Sequence, residues 1–312
     1  MTTDSRRRTA LPVEVVGVWL LYAVVAVEIA VTYSRIPASE LYHVSRSGLA
    51  GGFGRALVFL NFPVALAAIG VALVLLQLLA GRLERALAIV SIALCAVVAW
   101  PGVVEQADLD PKAVNVVPAL GVAIVLALTV LVARSRGVSD PGRERARGRI
   151  ILAALTLVIA LPWMAAELGF YVDGVPLFGR LFLSGELASQ PGVPGLHRAV
   201  HHGHHHGMDG ALLALTALLL APTVAAVAGR LRPVLAGFVA LMFCYGIGNL
   251  ANDAWLEQVV KRGWISWEVP DVTVPDVSGG WGVILLAALA MWLVWRRSLT
   301  RWQRGPARTL SR

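Results

Sequence analysis

One segment in the second half of the chain gathers the residues best suited to bind a metal ion. It reads HRAVHHGHHHGMDG, from His197 to Gly210, and it holds six of the seven histidines of the protein. Neutral imidazole is the commonest protein ligand of transition metals, and it binds zinc, copper and nickel. Because six imidazoles lie within ten positions, the segment predicts affinity for Zn²⁺ or Cu²⁺, with Ni²⁺ also allowed.

The spacing leaves two arrangements of ligands open. If the segment extends a following helix, His197, His201 and His205 share one stripe of that helix. The glycines at 203 and 207 disfavour a helix, however, and favour a loop that wraps around the ion. Asp209 is a further ligand or an acceptor that orients an imidazole. The full set of candidate ligands is His197, His201, His202, His204, His205, His206, Asp209 and the distant His43.

Other interpretations of the histidines need no dedicated metal site. Histidine-rich tracts also occur as polar loops of low complexity that bind metal incidentally. Crowded imidazoles can also act as a pH sensor, because they titrate near neutrality and repel one another when protonated. Both alternatives stay open from the sequence alone.

Carboxylates inside apolar segments are the candidates for catalysis, because ionisable residues within a membrane are costly and often functional. Glu28, Glu167 and Asp253 are candidate general bases. Asn249, Asn252 and Asp253 are spaced i, i+3, i+4 and share one helix face. In the orientation that the arginine clusters predict, these residues and Asn61 all fall in the outer half of the membrane. The pattern predicts a polar cavity open to one side.

Two resemblances to known families concern the same histidines. The HxxxHH of HRAVHH and the HxxHH of HGHHH resemble the histidine boxes of membrane fatty-acid desaturases, which imply two irons held by histidines from separated, cytoplasmic boxes. Here six of seven histidines lie in one segment, so the iron site does not carry over. SELYH with HxxxH at His197 and His201 is similar to the zinc pattern of alkaline ceramidase-like membrane hydrolases. That resemblance implies a zinc ion that activates water for hydrolysis.

Composition excludes a soluble protein. Hydrophobic residues make up 57% of the chain and charged residues 15%, with a mean hydropathy of +0.72, whereas ordinary domains are about 25% charged. The net charge of +8 comes from arginines at the ends of apolar segments, which is typical of membrane topology and argues against a nucleic-acid partner. No motif for a nucleotide cofactor is present.

Eight windows are long and apolar enough to cross a bilayer, which needs about 20 residues of helix. The sequence therefore predicts an all-α polytopic membrane protein with about eight transmembrane helices in one bundle. The windows are 11–33, 56–80, 84–103, 114–134, 149–171, 210–229, 231–251 and 280–296.

Basic residues alternate with the spans and predict the orientation. Arginine clusters precede the first span and follow the second, fourth, sixth and eighth. The positive-inside rule makes that side cytoplasmic and places both termini inside. Residues 1–134 then hold four helices, 135–148 form a basic cytoplasmic loop, and 149–312 hold four more, with outer loops 172–209 and 252–279. Arg35, Arg46 and Arg55 run against the rule, and the glycines of GLAGGFG predict a flexible outer turn.

Three functional classes follow from these patterns. The first is a protein that captures, senses or delivers a transition metal at the outer face. The second is a metal-dependent membrane enzyme, either a hydrolase or an oxidoreductase, and the third is an assembly protein with incidental histidines. Membrane lipids are the surrounding partner in each case. The use of arginine in place of lysine, with only Lys112 and Lys261 present, suggests a bacterial plasma membrane.

Overall fold

Long helices dominate the computed structural model of the chain. The residues that it describes are 10–35, 45–100, 111–140, 147–167, 187–190, 193–198, 206–260, 262–269, 272 and 277–303. Each predicted apolar window overlaps one helix, the conformation in which an apolar segment pairs its own backbone groups. The helices are α1 (Val13–Ser34), α2 (Gly48–Leu78), α3 (Arg82–Ala96), α4 (Val116–Arg136), α5 (Arg147–Glu167), α6 (His206–Leu220), α7 (Leu231–Trp255) and α8 (Gly279–Gln303).

Six of these helices are long and apolar enough to cross a membrane within the described residues, namely α1, α2, α4, α6, α7 and α8. The predicted all-α, multi-pass membrane protein is confirmed at this level. The described strands are short and lie before α1 or between the helices. They are β1 (Leu11–Pro12), β2 (Val138–Ser139), β3 (Leu187–Gln190) and β4 (Val193–Arg198), which pair as β1 with β2 and β3 with β4.

The bundle is organised around α2. The most apolar stretch of α2 is 72% buried inside the protein, against 11% for α8. Small residues allow this burial, because Ala65, Ala68 and Ala72 let neighbouring helices approach closely. The peripheral helices instead expose apolar side chains, such as Leu20, Val24 and Val27 on one face of α1. In a membrane protein such a face contacts lipid.

Contacts between distant parts of the chain place the arginine clusters at one end of the bundle. Residues 11 and 12 before α1 pair with β2 after α4. The amide of Ala228, before α7, donates to Gln77 Oε1 at the end of α2 at 3.4 Å. The indole of Trp292 in α8 donates to the carbonyl of Pro233 at 3.0 Å. We call this the basic end, and its arginines include Arg82, Arg85, Arg134, Arg136, Arg230, Arg232 and Arg296.

The start of α2 differs from the sequence prediction. The glycines of GLAGGFG were predicted to form a flexible turn, and α2 was expected from residue 56, but the helix begins at Gly48. Close packing explains the difference, since a β-carbon at Gly52 would collide with the carbonyl of Ala30 in α1. The glycines therefore allow α1 and α2 to touch, which compensates for their low helix propensity.

Arg55 is an exception to the positive-inside rule, and the structure explains why. It lies within α2 and is 3% exposed. Its guanidinium lies 4.6 Å from the ring centre of Tyr33 and 5.6 Å from that of Phe59. Such a cation–π arrangement stabilises a desolvated guanidinium. Arg55 is thus part of the packed interior, and the topology rule, which counts loop charges, does not apply to it.

Candidate functional site at the histidine end

The structure divides the predicted histidine segment between two elements. His197 lies in β4, where it pairs with Ala188 of β3, and α6 begins at His206. A continuous helix from 197 to 209 is therefore absent, so of the two arrangements that the sequence leaves open, the single helical stripe does not include His197. His201, His202, His204, His205 and the distant His43 lie outside the described residues.

The first turn of α6 carries the acidic candidate. His206 is the first residue of this helix and Asp209 lies in its first turn. The two positions are three residues apart and share one face of the helix. A carboxylate at this position interacts favourably with the partial positive charge of the helix N-terminus. The last histidine of the segment and Asp209 are thus positioned by the same helical turn.

Two glycines bring this turn into direct contact with α7. A β-carbon at Gly210 would lie 2.6 Å from the carbonyl oxygen of Gly246 and 2.7 Å from the amide nitrogen of Leu250. A β-carbon at Gly246 would lie 2.7 Å from the amide nitrogen of Ala214. The two backbones therefore touch, as in membrane helix pairs joined through small residues. We call this end of the bundle the histidine end.

The last two turns of α7 supply buried polar groups next to this contact. Asn249 and Asp253 are 3% and 1% exposed, and both lie on the face that meets Gly210. The amide of Asn249 donates to the carbonyl of Tyr245 at 3.0 Å. Asn252 is half-buried and its amide donates to the carbonyl of Val269 at 2.7 Å. Two polar residues of the predicted face thus lie inside the bundle, while Asn252 holds the segment that follows α7.

The register between α1 and α6 places Glu28 at the same level. The hydroxyl groups of Tyr22 and Thr216 lie 3.3 Å apart, and a β-carbon at Gly17 would lie 3.5 Å from a methyl group of Leu219. The two helices run in opposite directions, so each step up α1 is a step back along α6. This register puts Glu28, which is half-buried, level with Asp209. The other predicted carboxylate, Glu167, is the last residue of α5, and its side chain lies outside the described part of the chain.

The histidine end therefore collects carboxylate and amide groups at one level, directly after the histidine segment. Within the described ranges, no three residues among histidine, cysteine, aspartate and glutamate come together as a metal site. A metal site at this end would need further ligands from outside the described ranges, where His43 and the histidines at 201, 202, 204 and 205 lie. Arg262, beyond α7, adds a cation to this end. Partial burial lowers the pKa of its guanidinium, but the group stays charged at neutral pH.

Sequence reasoning missed the residues that hold this site in place. Tyr22 donates to the carbonyl of Pro63 at 3.0 Å and meets Thr216, so one side chain links α1, α2 and α6. A tyrosine inside an apolar window carries no signal that distinguishes this role. The β3–β4 hairpin was detectable, because Pro191 and Gly192 between its strands are typical turn residues.

Comparison with known proteins gives no further assignment. No protein-family model matches the chain, and no curated protein or solved structure is significantly similar to it.

Proposed function

We propose that this membrane protein binds a transition metal ion, Zn²⁺ or Cu²⁺, at its histidine end, in order to capture, sense or deliver the ion. The ligands come from His197, the histidines at 201–206 and Asp209, and His43 is a further candidate. One observation carries the proposal: the histidine segment is held between β4 and the first turn of α6.

Chain length supports this placement. Only residues 199–205 separate β4 from α6, and seven residues span at most about 25 Å when fully extended. Residues 201–205 are one to five positions before His206, so chain connectivity keeps their backbone within about 18 Å of the start of α6. Of the two arrangements that the sequence leaves open, this geometry favours a loop that closes around the ion.

The topology belongs to the same proposal. All eight helices cross the membrane, including α3 and α5, and both termini lie in the cytoplasm of a bacterial cell. The arginines collected at the basic end support this orientation, because basic segments are retained on the cytoplasmic side. The histidine end then faces outward, where it meets ions that enter from outside.

A metal-dependent enzyme is a second candidate. The buried carboxylate of Asp253 favours it, since a catalytic site needs a base near the metal. An enzyme requires a metal with three protein ligands and an open fourth position. A spectroscopic coordination number for the Co²⁺-substituted protein separates the candidates: four protein ligands support capture or delivery, and three ligands with exchangeable water support the enzyme.

The direct test is the metal content of protein purified without a polyhistidine tag. We expect wild-type protein to retain Zn²⁺ or Cu²⁺ by elemental mass spectrometry, and calorimetry to detect one class of site. Alanine at all six clustered histidines should abolish that site. The single variant Asp209→Asn should bind about 10- to 100-fold more weakly, as is typical when a group that orients a ligand is lost.

The control is Asp140→Asn, which removes an exposed carboxylate after β2 at the basic end and should leave affinity unchanged. Equal metal content in wild type and the six-histidine variant would show that the segment is a solvated loop. In that case an assembly role is the better explanation.

Metal affinity should also fall steeply as the pH is lowered. Coordination requires neutral imidazole, and an ordinary histidine has a pKa of about 6.5. Protons therefore compete with the metal as pH falls through that value. Below it, each ligand histidine should weaken binding by about tenfold per pH unit. Calorimetry between about pH 7.5 and 5.5 measures this slope, and a constant affinity contradicts histidine ligation.

A further inference from the structure

A groove of about 720 Å³ follows the membrane-spanning part of α1, between α1, α2 and α4. Its lining extends from Leu11 to Ala26, about 22 Å at about 1.5 Å per residue. The volume lies within the range of about 300–1,000 Å³ found for small-molecule sites. No charged side chain lines the groove in the described part of the chain. It is therefore suited to an apolar molecule that enters from the membrane.

Four polar side chains reach this groove, and three of them already have hydrogen bonds. The indole of Trp19 donates to the Thr129 hydroxyl at 3.1 Å, and that hydroxyl donates to the carbonyl of Val125 at 2.8 Å. The Tyr22 hydroxyl donates to Pro63 at 3.0 Å. These three groups need no ligand.

Asn61 is the fourth polar residue, and its side-chain oxygen is different. Asn61 is 4% exposed, and its Oδ1 has no hydrogen-bond partner among the described residues. A buried acceptor without a partner is costly, and more so within a membrane, where no bulk water reaches it. A ligand that brings an O–H group to this oxygen would remove that cost.

We propose that the groove binds a membrane-soluble alcohol or phenol whose hydroxyl donates to Asn61 Oδ1 and whose apolar part lies between α1 and α4. The shape of the site favours such a slender molecule. Asn61 lines the groove but is only 4% exposed, so the space beside it suits a hydroxyl on a slender chain and excludes a second helix about 10 Å across. The site is separate from the histidine segment, so this proposal does not depend on metal binding.

The test compares two probes that differ only in whether they carry an O–H group that can donate a hydrogen bond. Tetradecanol and its methyl ether are titrated against detergent-solubilised protein, and bound probe is counted by native mass spectrometry. We expect the alcohol to bind about tenfold more tightly, the effect of one well-placed hydrogen bond. In Asn61→Leu the two probes should bind equally.

A second pair of variants tests the groove itself. Ala119→Phe should block the groove, because Ala119 lines it, and both probes should lose binding. The matched control is Ala127→Phe, two turns along α4 at an exposed position that does not line the groove, which should bind as wild type. Equal binding of both probes to wild type, a preference that survives in Asn61→Leu, or binding that survives in Ala119→Phe would each overturn the proposal and indicate an ordinary lipid-facing surface.

Discussion

Replacing Gly246 by alanine should destabilise the protein by about 1–3 kcal/mol, the usual cost of overpacking. The new β-carbon would lie 2.7 Å from both the Ala214 amide nitrogen and the Gly210 carbonyl oxygen. Both atoms belong to the backbone of α6, so no side chain can rotate away and the two helices must separate. Thermal unfolding of the detergent-solubilised protein measures the loss as a lower melting temperature.

The control is the same substitution at a glycine without neighbours. A β-carbon at Gly282 in α8 would meet nothing within 4 Å, so Gly282→Ala should be neutral or stabilising by up to about 1 kcal/mol through helix propensity. If Gly246→Ala and Gly282→Ala melt at the same temperature, α6 and α7 are not in backbone contact. On the proposal of a metal site at the histidine end, separation of these helices should also weaken metal affinity, because Asp209 directly precedes the contact.

The helices could be predicted from sequence because lipid leaves the backbone few alternatives. A segment of about 20 apolar residues must be helical to pair its own polar groups. Helix ends are less constrained. The third window was predicted to reach residue 103, but α3 ends at Ala96 and a 3₁₀ turn ends at Ala99, just before Pro101, which cannot continue a helix.

The environment of the site was less predictable, because it depends on contacts between distant segments. The common level of Glu28, Asp209 and Asn249 follows from how α1, α6 and α7 pack, and periodicity within one helix cannot reveal that register. Asn61 is a similar case. Its sequence position marked it as an intramembrane polar residue, but only the packing of α1, α2 and α4 places it in a groove.

The prediction with the clearest expected signal concerns orientation. Single cysteines are placed at two exposed residues, Ser135 in the last turn of α4 at the basic end and Ser266 beyond α7 at the histidine end. The background replaces the two native cysteines, Cys95 and Cys244, which are both free thiols. On intact spheroplasts of a bacterial expression host, a membrane-impermeant maleimide should label Ser266→Cys and leave Ser135→Cys unlabelled until the membrane is permeabilised.

The physical reason is the cost of moving the basic end across the membrane. Arg134 and Arg136 end α4, and Arg147 and Arg149 begin α5. Arginine charges in short loops next to spans resist translocation, so the side on which they cluster stays cytoplasmic. Labelling of Ser135→Cys from outside would show that the orientation is opposite to the proposed one and that the histidine segment faces the cytoplasm. The metal proposal would then concern the cytoplasmic metal pool, and affinity would follow internal rather than external pH.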